Sequence, residues 1–174
     1  IIMRSRKQAF TLVELLVVIS IILIAASFIF VGGNGGDGAK LSSSQRIVSG
    51  IAQGARGQAI LKGATTRLII YSDAASNAEN EKKLRFFGIV YEDPDIAGQW
   101  LAATQGTFLP EGIYFDPGGE GAASSNPWPG STMSLEYPRL SSQAVGSGDQ
   151  YYFYEFNSNG TMAIGYDNSW LVLQ

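Results

Sequence analysis

A single carboxylate, Glu14, stands inside an apolar run from Phe10 to Val31, and three cations, Arg4, Arg6 and Lys7, stand just before that run. An ionised side chain among apolar neighbours in a bilayer is costly and calls for a partner of opposite charge. Glu14 lies near the start of the run, where a carboxylate also suits the positive end of a helix dipole. The 174 residues include no cysteine and no histidine. Thiolate nucleophiles, Cys/His zinc sites, His-based triads and disulfides are therefore excluded, and only all-carboxylate metal sites remain open.

Other groups with possible chemistry have plainer readings. Glu92-Asp93-Pro94-Asp95 and the segment 116–120 are acidic clusters in loops, but neither has the regular acid spacing and central glycine of a calcium loop. Solvated loop charge is the expectation, with no metal and no cofactor. Beyond Val31 there are nine basic and fourteen acidic residues, a net charge of −5. A domain this acidic is a poor binder of phosphate backbones, and its cations (Arg46, Arg56, Lys62, Arg67, Lys82, Lys83 and Arg85) are dispersed along the chain. Nucleic acid is not an expected partner. On Tyr151–Phe156, Tyr152, Tyr154 and Phe156 share one strand face, while Tyr151, Phe153 and Glu155 share the other. Core packing with an amphipathic outer face accounts for them. No residue set suggests catalysis.

The elements that position Glu14 come next. Phe10 to Val31 is 22 residues. As a helix it spans ~33 Å, against a hydrocarbon core of ~30 Å. Ser20 and Ser27 can bond back to the helix backbone. The cations ahead of the run place the N-terminus in the cytoplasm and the C-terminal domain across the membrane. Three readings of the run compete: a cleaved signal peptide with Ala25-Ala26-Ser27 at the cut, a plain anchor with an incidental Glu14, and a signal for assembly. The first two leave Glu14 unexplained.

Beyond the run, residues 32–38 hold five glycines and predict a break in the helix. The spacing of Leu41, Val48, Ile51, Ala52, Ala55, Ala59 and Ile60 predicts a second helix from about Ser42 to Lys62. One of Ser42–Ser44 would cap its start and Gly63 would close its end. Gly50, Gly54 and Gly57 would let it approach a sheet closely. Strands are predicted at Arg67–Tyr71, Leu84–Tyr91, Phe108-Leu109, Ile113–Phe115, Met133–Tyr137, Tyr151–Phe156, Thr161–Tyr166 and Trp170–Leu173, with a turn at Asn157–Gly160. Short connections between consecutive strands imply an antiparallel sheet. The glycines and prolines of 116–132 predict a long surface loop.

The stretch Lys7-Gln8-Ala9-Phe10-Thr11-Leu12-Val13-Glu14-Leu15-Leu16 resembles the class III signal of type IV pilins and type II secretion pseudopilins. Counted from Met3, the leader is seven residues, a length that suits such a signal. The resemblance implies cleavage between Ala9 and Phe10 by a prepilin peptidase, which also N-methylates Phe10. It implies that Glu14 pairs with the N-terminal amine of a neighbouring subunit and so sets the axial register of a filament. Ala9 departs from the commoner glycine. Ala55-Arg56-Gly57-Gln58-Ala59-Ile60-Leu61-Lys62-Gly63 and Phe156-Asn157-Ser158-Asn159-Gly160-Thr161 resemble segments of the H-type minor pseudopilin and FimT group.

The expected fold is thus α+β: an N-terminal transmembrane helix, then an amphipathic helix packed on an antiparallel sheet, in the manner of a pilin. The expected organisation is a leader over 1–9, a transmembrane and filament-core helix over 10–31, a Gly-rich break over 32–38, and a periplasmic domain over 39–174. The resemblance implies a non-enzymatic subunit of a type II secretion pseudopilus, held in the bacterial inner membrane by a single pass and incorporated into a periplasmic filament. Its partners would be other pilin subunits, the peptidase, the inner-membrane assembly platform and lipid. A minor pilin of a type IV pilus and a membrane-tethered binding domain are the alternatives.

Overall fold

The computed structural model describes residues 18, 36–72, 79–117, 131–166 and 171–174. The chain divides into two compact units, Ile1–Ala39 and Lys40–Gln174. In the first, Val18 and residues 36–39 are the described residues, and all are helical. The rest of the predicted membrane helix, and residues 32–35 of the glycine run, lie outside the described residues. Among the described residues no helix is long and apolar enough to cross a membrane.

Helix α1 runs Gly36–Lys62. It includes the six residues ahead of the expected Ser42, with Gly36, Asp37 and Gly38 among them. Glycine weakens a helix by only ~1 kcal/mol per residue, and a helix already nucleated downstream extends readily. No serine of 42–44 is therefore at the N-cap. Ser44 is fully buried inside the helix, and its hydroxyl donates to the Lys40 carbonyl at 2.8 Å. The C-terminus forms as expected: Gly63 adopts φ +60° and the Ala64 N–H reaches back to the Ala59 carbonyl, the hydrogen bond of a left-handed helix cap.

Among the described residues seven strands form one antiparallel sheet: β1 Thr66–Tyr71, β2 Phe86–Glu92, β3 Gln99–Ala102, β4 Thr107–Phe108, β5 Thr132–Leu135, β6 Gln143–Ala144 and β7 Asp149–Phe156. The order is β5-β7-β1-β2-β3-β6, with β4 also on β2. The last strand therefore sits beside the first, in the middle of the sheet. Leu68 faces Tyr154 on one side and Ile89 on the other. β3 and β4 were absent or shifted in the sequence reading, and β6 was absent. They are short, and their pairing depends on β2 and β3 rather than on a hydrophobic pattern of their own. Two expected strands are reduced. Residues 114–116 and 172–174 pair around a single Phe115–Leu173 bridge, where Tyr114 and Gln174 exchange N–H···O bonds and the Asp116 N–H donates to the Val172 carbonyl. After the Asn157–Gly160 turn the chain pairs with β7 only through Met162 and Ala163. It then turns away at Gly165, φ +97°, because β5 already holds that edge from Tyr152 onward.

Hydrophobic packing covers both faces of the sheet. On one face Val48, Ala55 and Ala59 of α1 pack over Leu68, Ile70, Phe87, Ile89, Tyr154 and Phe156. The small alanines let the helix lie close. Of Gly50, Gly54 and Gly57, Gly54 alone borders the sheet, with a β-carbon position 3.5 Å from Ile89 Cδ1, whereas Gly50 and Gly57 face open space. The other face is a second core, of Ile69, Tyr71, Phe86, Val90, Trp100, Met133, Leu135, Tyr151 and Phe153. The sequence reading made that face an amphipathic exterior. It is buried because Tyr137 and Tyr166 pack against it.

Candidate functional site

Ala9, Phe10 and Glu14, the residues the sequence marks for processing and assembly, lie outside the described residues. Glu120 and residues 118–130 of the expected long loop do too. The described domain carries three further arrangements with chemical content.

The first is built on Arg67. Its position on β1 is directly opposite Glu155 on β7. The guanidinium bonds Glu155 Oε2 through Nε at 2.8 Å and Nη2 at 2.7 Å. Its Cζ lies over the Trp100 ring at 4.1 Å and the Phe153 ring at 4.0 Å from their centroids, and Nη1 approaches Met133 Sδ at 3.4 Å. A charge-assisted pair flanked by two rings binds this cation firmly within the domain. The sequence shows Arg67 only as one of several cations dispersed along the chain. Several of those cations also have internal contacts: Lys82 pairs with Glu79 at 3.0 Å, Arg85 donates to the Leu109 carbonyl at 3.1 Å, and Lys62 sits over Tyr91.

The second is the acidic loop after β2. Glu92 Oε1 accepts the Gly98 N–H at 2.7 Å, and Asp93 Oδ1 accepts the Asp95 N–H at 2.9 Å. Asp93 Oδ2 accepts the Ser142 hydroxyl. These bonds, Ser142 foremost, hold the Asp93 carboxyl below the usual carboxylate range. The carboxylates shape their own turn and tie it to residues before β6. Among the described residues no three metal-ligating side chains cluster.

The third arrangement is a cavity of about 510 Å³ between α1 and the end of β7. Leu68, Tyr154, Phe156 and Met162 form its floor, Ala52 and Leu171 its sides. Ser49, Gln53 and Arg56, one stripe of α1, form the rim. The sequence did not reveal it, because its lining comes from four separated segments. The spacing 49, 52, 53, 56 on a helix is the only local signal, and it does not show what faces that stripe.

Comparisons with known proteins bear on the N-terminus. Residues 4–30 match the family described as the prokaryotic N-terminal methylation motif. The match covers Arg4 to Phe30, and so includes Ala9, Phe10 and Glu14. It supports a type IV pilin-like or pseudopilin chain bearing a class III, prepilin-type signal. Comparison with curated proteins and with solved structures gives no significant match.

Proposed function

We propose that this chain is a minor pseudopilin: a non-enzymatic filament subunit of a type II secretion system. The match of residues 4–30 to the N-terminal methylation motif carries this reading. A prepilin peptidase cuts between Ala9 and Phe10 and methylates the new amine. Glu14 is then the fifth residue, ~6 Å along the helix from that amine. The subunit waits in the inner membrane with residues 10–31 as its anchor and its α+β domain in the periplasm. On assembly the N-terminal helices bundle, and Glu14 meets the amine of a neighbour. In an apolar bundle an unpaired carboxylate and an unpaired ammonium are both costly, so one axial register is preferred over its neighbours. The helix on an antiparallel sheet supports the reading as a domain fit to ride on the outside of such a bundle.

Mass spectrometry of the mature chain tests it. N-methyl-Phe10 at the N-terminus is expected. A mature chain starting at Met3, or near Phe28, would overturn the proposal. Deleting the gene is expected to stop export of folded substrates while leaving pili intact. Lost pili with normal export would instead assign the chain to a pilus.

A further inference from the structure

Arg56 stands at the mouth of the cavity between α1 and the end of β7, exposed, with no hydrogen bond or ion pair among the described residues. We propose that this cavity is a binding site for a medium-chain carboxylate amphiphile, with its acyl chain on the apolar floor and its carboxylate on Arg56. The proposal goes beyond the filament role and does not depend on it.

Three observations lead there. The floor is apolar and already dehydrated: Leu68, Tyr154 and Phe156 are each less than a tenth exposed. An acyl chain laid there removes its own surface from water at ~25 cal/mol per Å² without displacing a packed side chain. The volume, about 510 Å³, falls in the ~300–1,000 Å³ range of small-molecule sites.

Among the described residues the rim has one cation and no acid. A guanidinium presents paired N–H donors that match a carboxylate, and a single positive charge matches a single negative one. Beside it, the Ser49 and Gln53 side chains offer further donors on the same helix stripe. Thr161 offers none, because its hydroxyl and its N–H are both given to Asn159 Oδ1. The polar end of the ligand is thereby directed to α1 and away from the turn.

Arg56 also differs from the arginines whose charge is answered inside the domain. Arg67 has Glu155, and Arg139 has Glu136 at 2.7 Å. The stem of Arg56 passes close to the turn: a β-carbon on Gly160 would lie 3.1 Å from its Cγ. Among the described residues nothing answers the guanidinium, which is open to an external anion.

The test uses the full-length chain in nanodiscs of zwitterionic lipid and a diazirine derivative of decanoic acid. Cross-linking is expected on peptides containing Ala52 or Met162 and is displaced by unlabelled decanoate. Arg56→Gln should weaken decanoate displacement about tenfold and leave decanol displacement unchanged. Ala52→Trp, which fills the cavity, should abolish cross-linking there. Labelling confined to the Phe10–Val31 run would overturn the proposal, and so would decanoate displacement that is indifferent to Arg56→Gln. If Ala52→Trp fails to fold, Arg56→Gln still decides, because Arg56 is exposed and makes no hydrogen bond or ion pair among the described residues.

Discussion

Arg67 and Glu155 meet at 2.7 Å across neighbouring central strands, and the Trp100 and Phe153 rings enclose the guanidinium. The pair links β1 to β7, the first and last strands of the sheet. Each side chain is less than a quarter exposed. Screening by salt is therefore weaker than for a surface pair, and the plane of the guanidinium matters as much as its charge.

Arg67→Lys is accordingly not a conservative change. Lysine keeps the charge but loses the fork to Glu155 and the stacked plane between the rings. A loss of about 1–2 kcal/mol is expected, read as a lower urea midpoint with an unchanged slope. A double-mutant cycle with Glu155→Gln should give a coupling of about 1 kcal/mol or more. Independent effects of the two substitutions would show that the pair adds nothing.

What the sequence showed and what it hid follow from the range of the interactions. Gly63 and the Asn159-Gly160 turn were legible because positive φ is a local demand that a few residue types meet. The N-terminal signal was legible for the same reason: its pattern is contiguous, from Ala9 to Glu14. The role of Arg67 is not legible in the sequence because its partner lies 88 residues away. The second core was misread because alternation on β7 shows two faces and does not tell what covers them. Tyr137, from a segment outside any strand, covers part of one. The cavity at Arg56 was hidden because helix, strand, turn and C-terminus each supply part of its lining.

Tyr137 fixes a second relationship with a testable consequence. Its hydroxyl lies 2.8 Å from Thr104 Oγ1 and donates to the Thr104 carbonyl at 2.8 Å, and Thr104 Oγ1 in turn accepts the Ile89 N–H. The phenol fills the space over Gly88 and Gly106, where β3 gives way to β4 along the edge of β2. A β-carbon on Gly88 would run into the ring, so Gly88→Ala should destabilise by about 1–3 kcal/mol. Adding Tyr137→Ala should remove that clash and make the pair of substitutions strongly non-additive in thermal unfolding. Simple additivity would sink this account of Gly88.

Alkaline pH should weaken the fold through its buried tyrosines. Burial raises the hydroxyl pKa of Tyr137, Tyr151 and Tyr154 above the ordinary value of 10.0. The unfolded chain then releases these protons before the folded one does. Stability is fully present below pH 10 and is lost as pH rises through the folded values. Unfolding midpoints measured from pH 8 to 12 should fall above pH 10, and Tyr154→Phe should flatten that fall. A flat profile for the unsubstituted protein would contradict the burial.

Acid should act on Asp93. Its folded pKa lies below the ordinary 3.8, chiefly through the Ser142 hydroxyl bond. Its contribution is present above that unfolded value and lost as pH falls through the folded one. Ser142→Ala should therefore lower the midpoint at neutral pH, and the difference from the unsubstituted chain should shrink as the solution is acidified below about pH 4. Asp93 keeps part of its surface in solvent, so the effect should be small. A difference that grows on acidification would reverse the sign and discard the mechanism.

Glu14 tests the proposed assembly step apart from processing. The proposed cleavage acts between Ala9 and Phe10, whereas the proposed register role needs the carboxylate after cleavage. Glu14→Ala should leave the mature N-terminus cut after Ala9 and methylated at Phe10, with the chain still in the membrane. Incorporation into filaments should fall, because a neighbour's ammonium enters the apolar bundle without its partner. Glu14→Gln should also fall, since an amide keeps shape and hydrogen bonding but not charge. Fractionation of sheared filaments against membranes, with mass spectrometry of each pool, separates the two steps. Normal incorporation of Glu14→Gln would mean that shape or hydrogen bonding sets the register, and normal incorporation of Glu14→Ala would remove Glu14 from assembly.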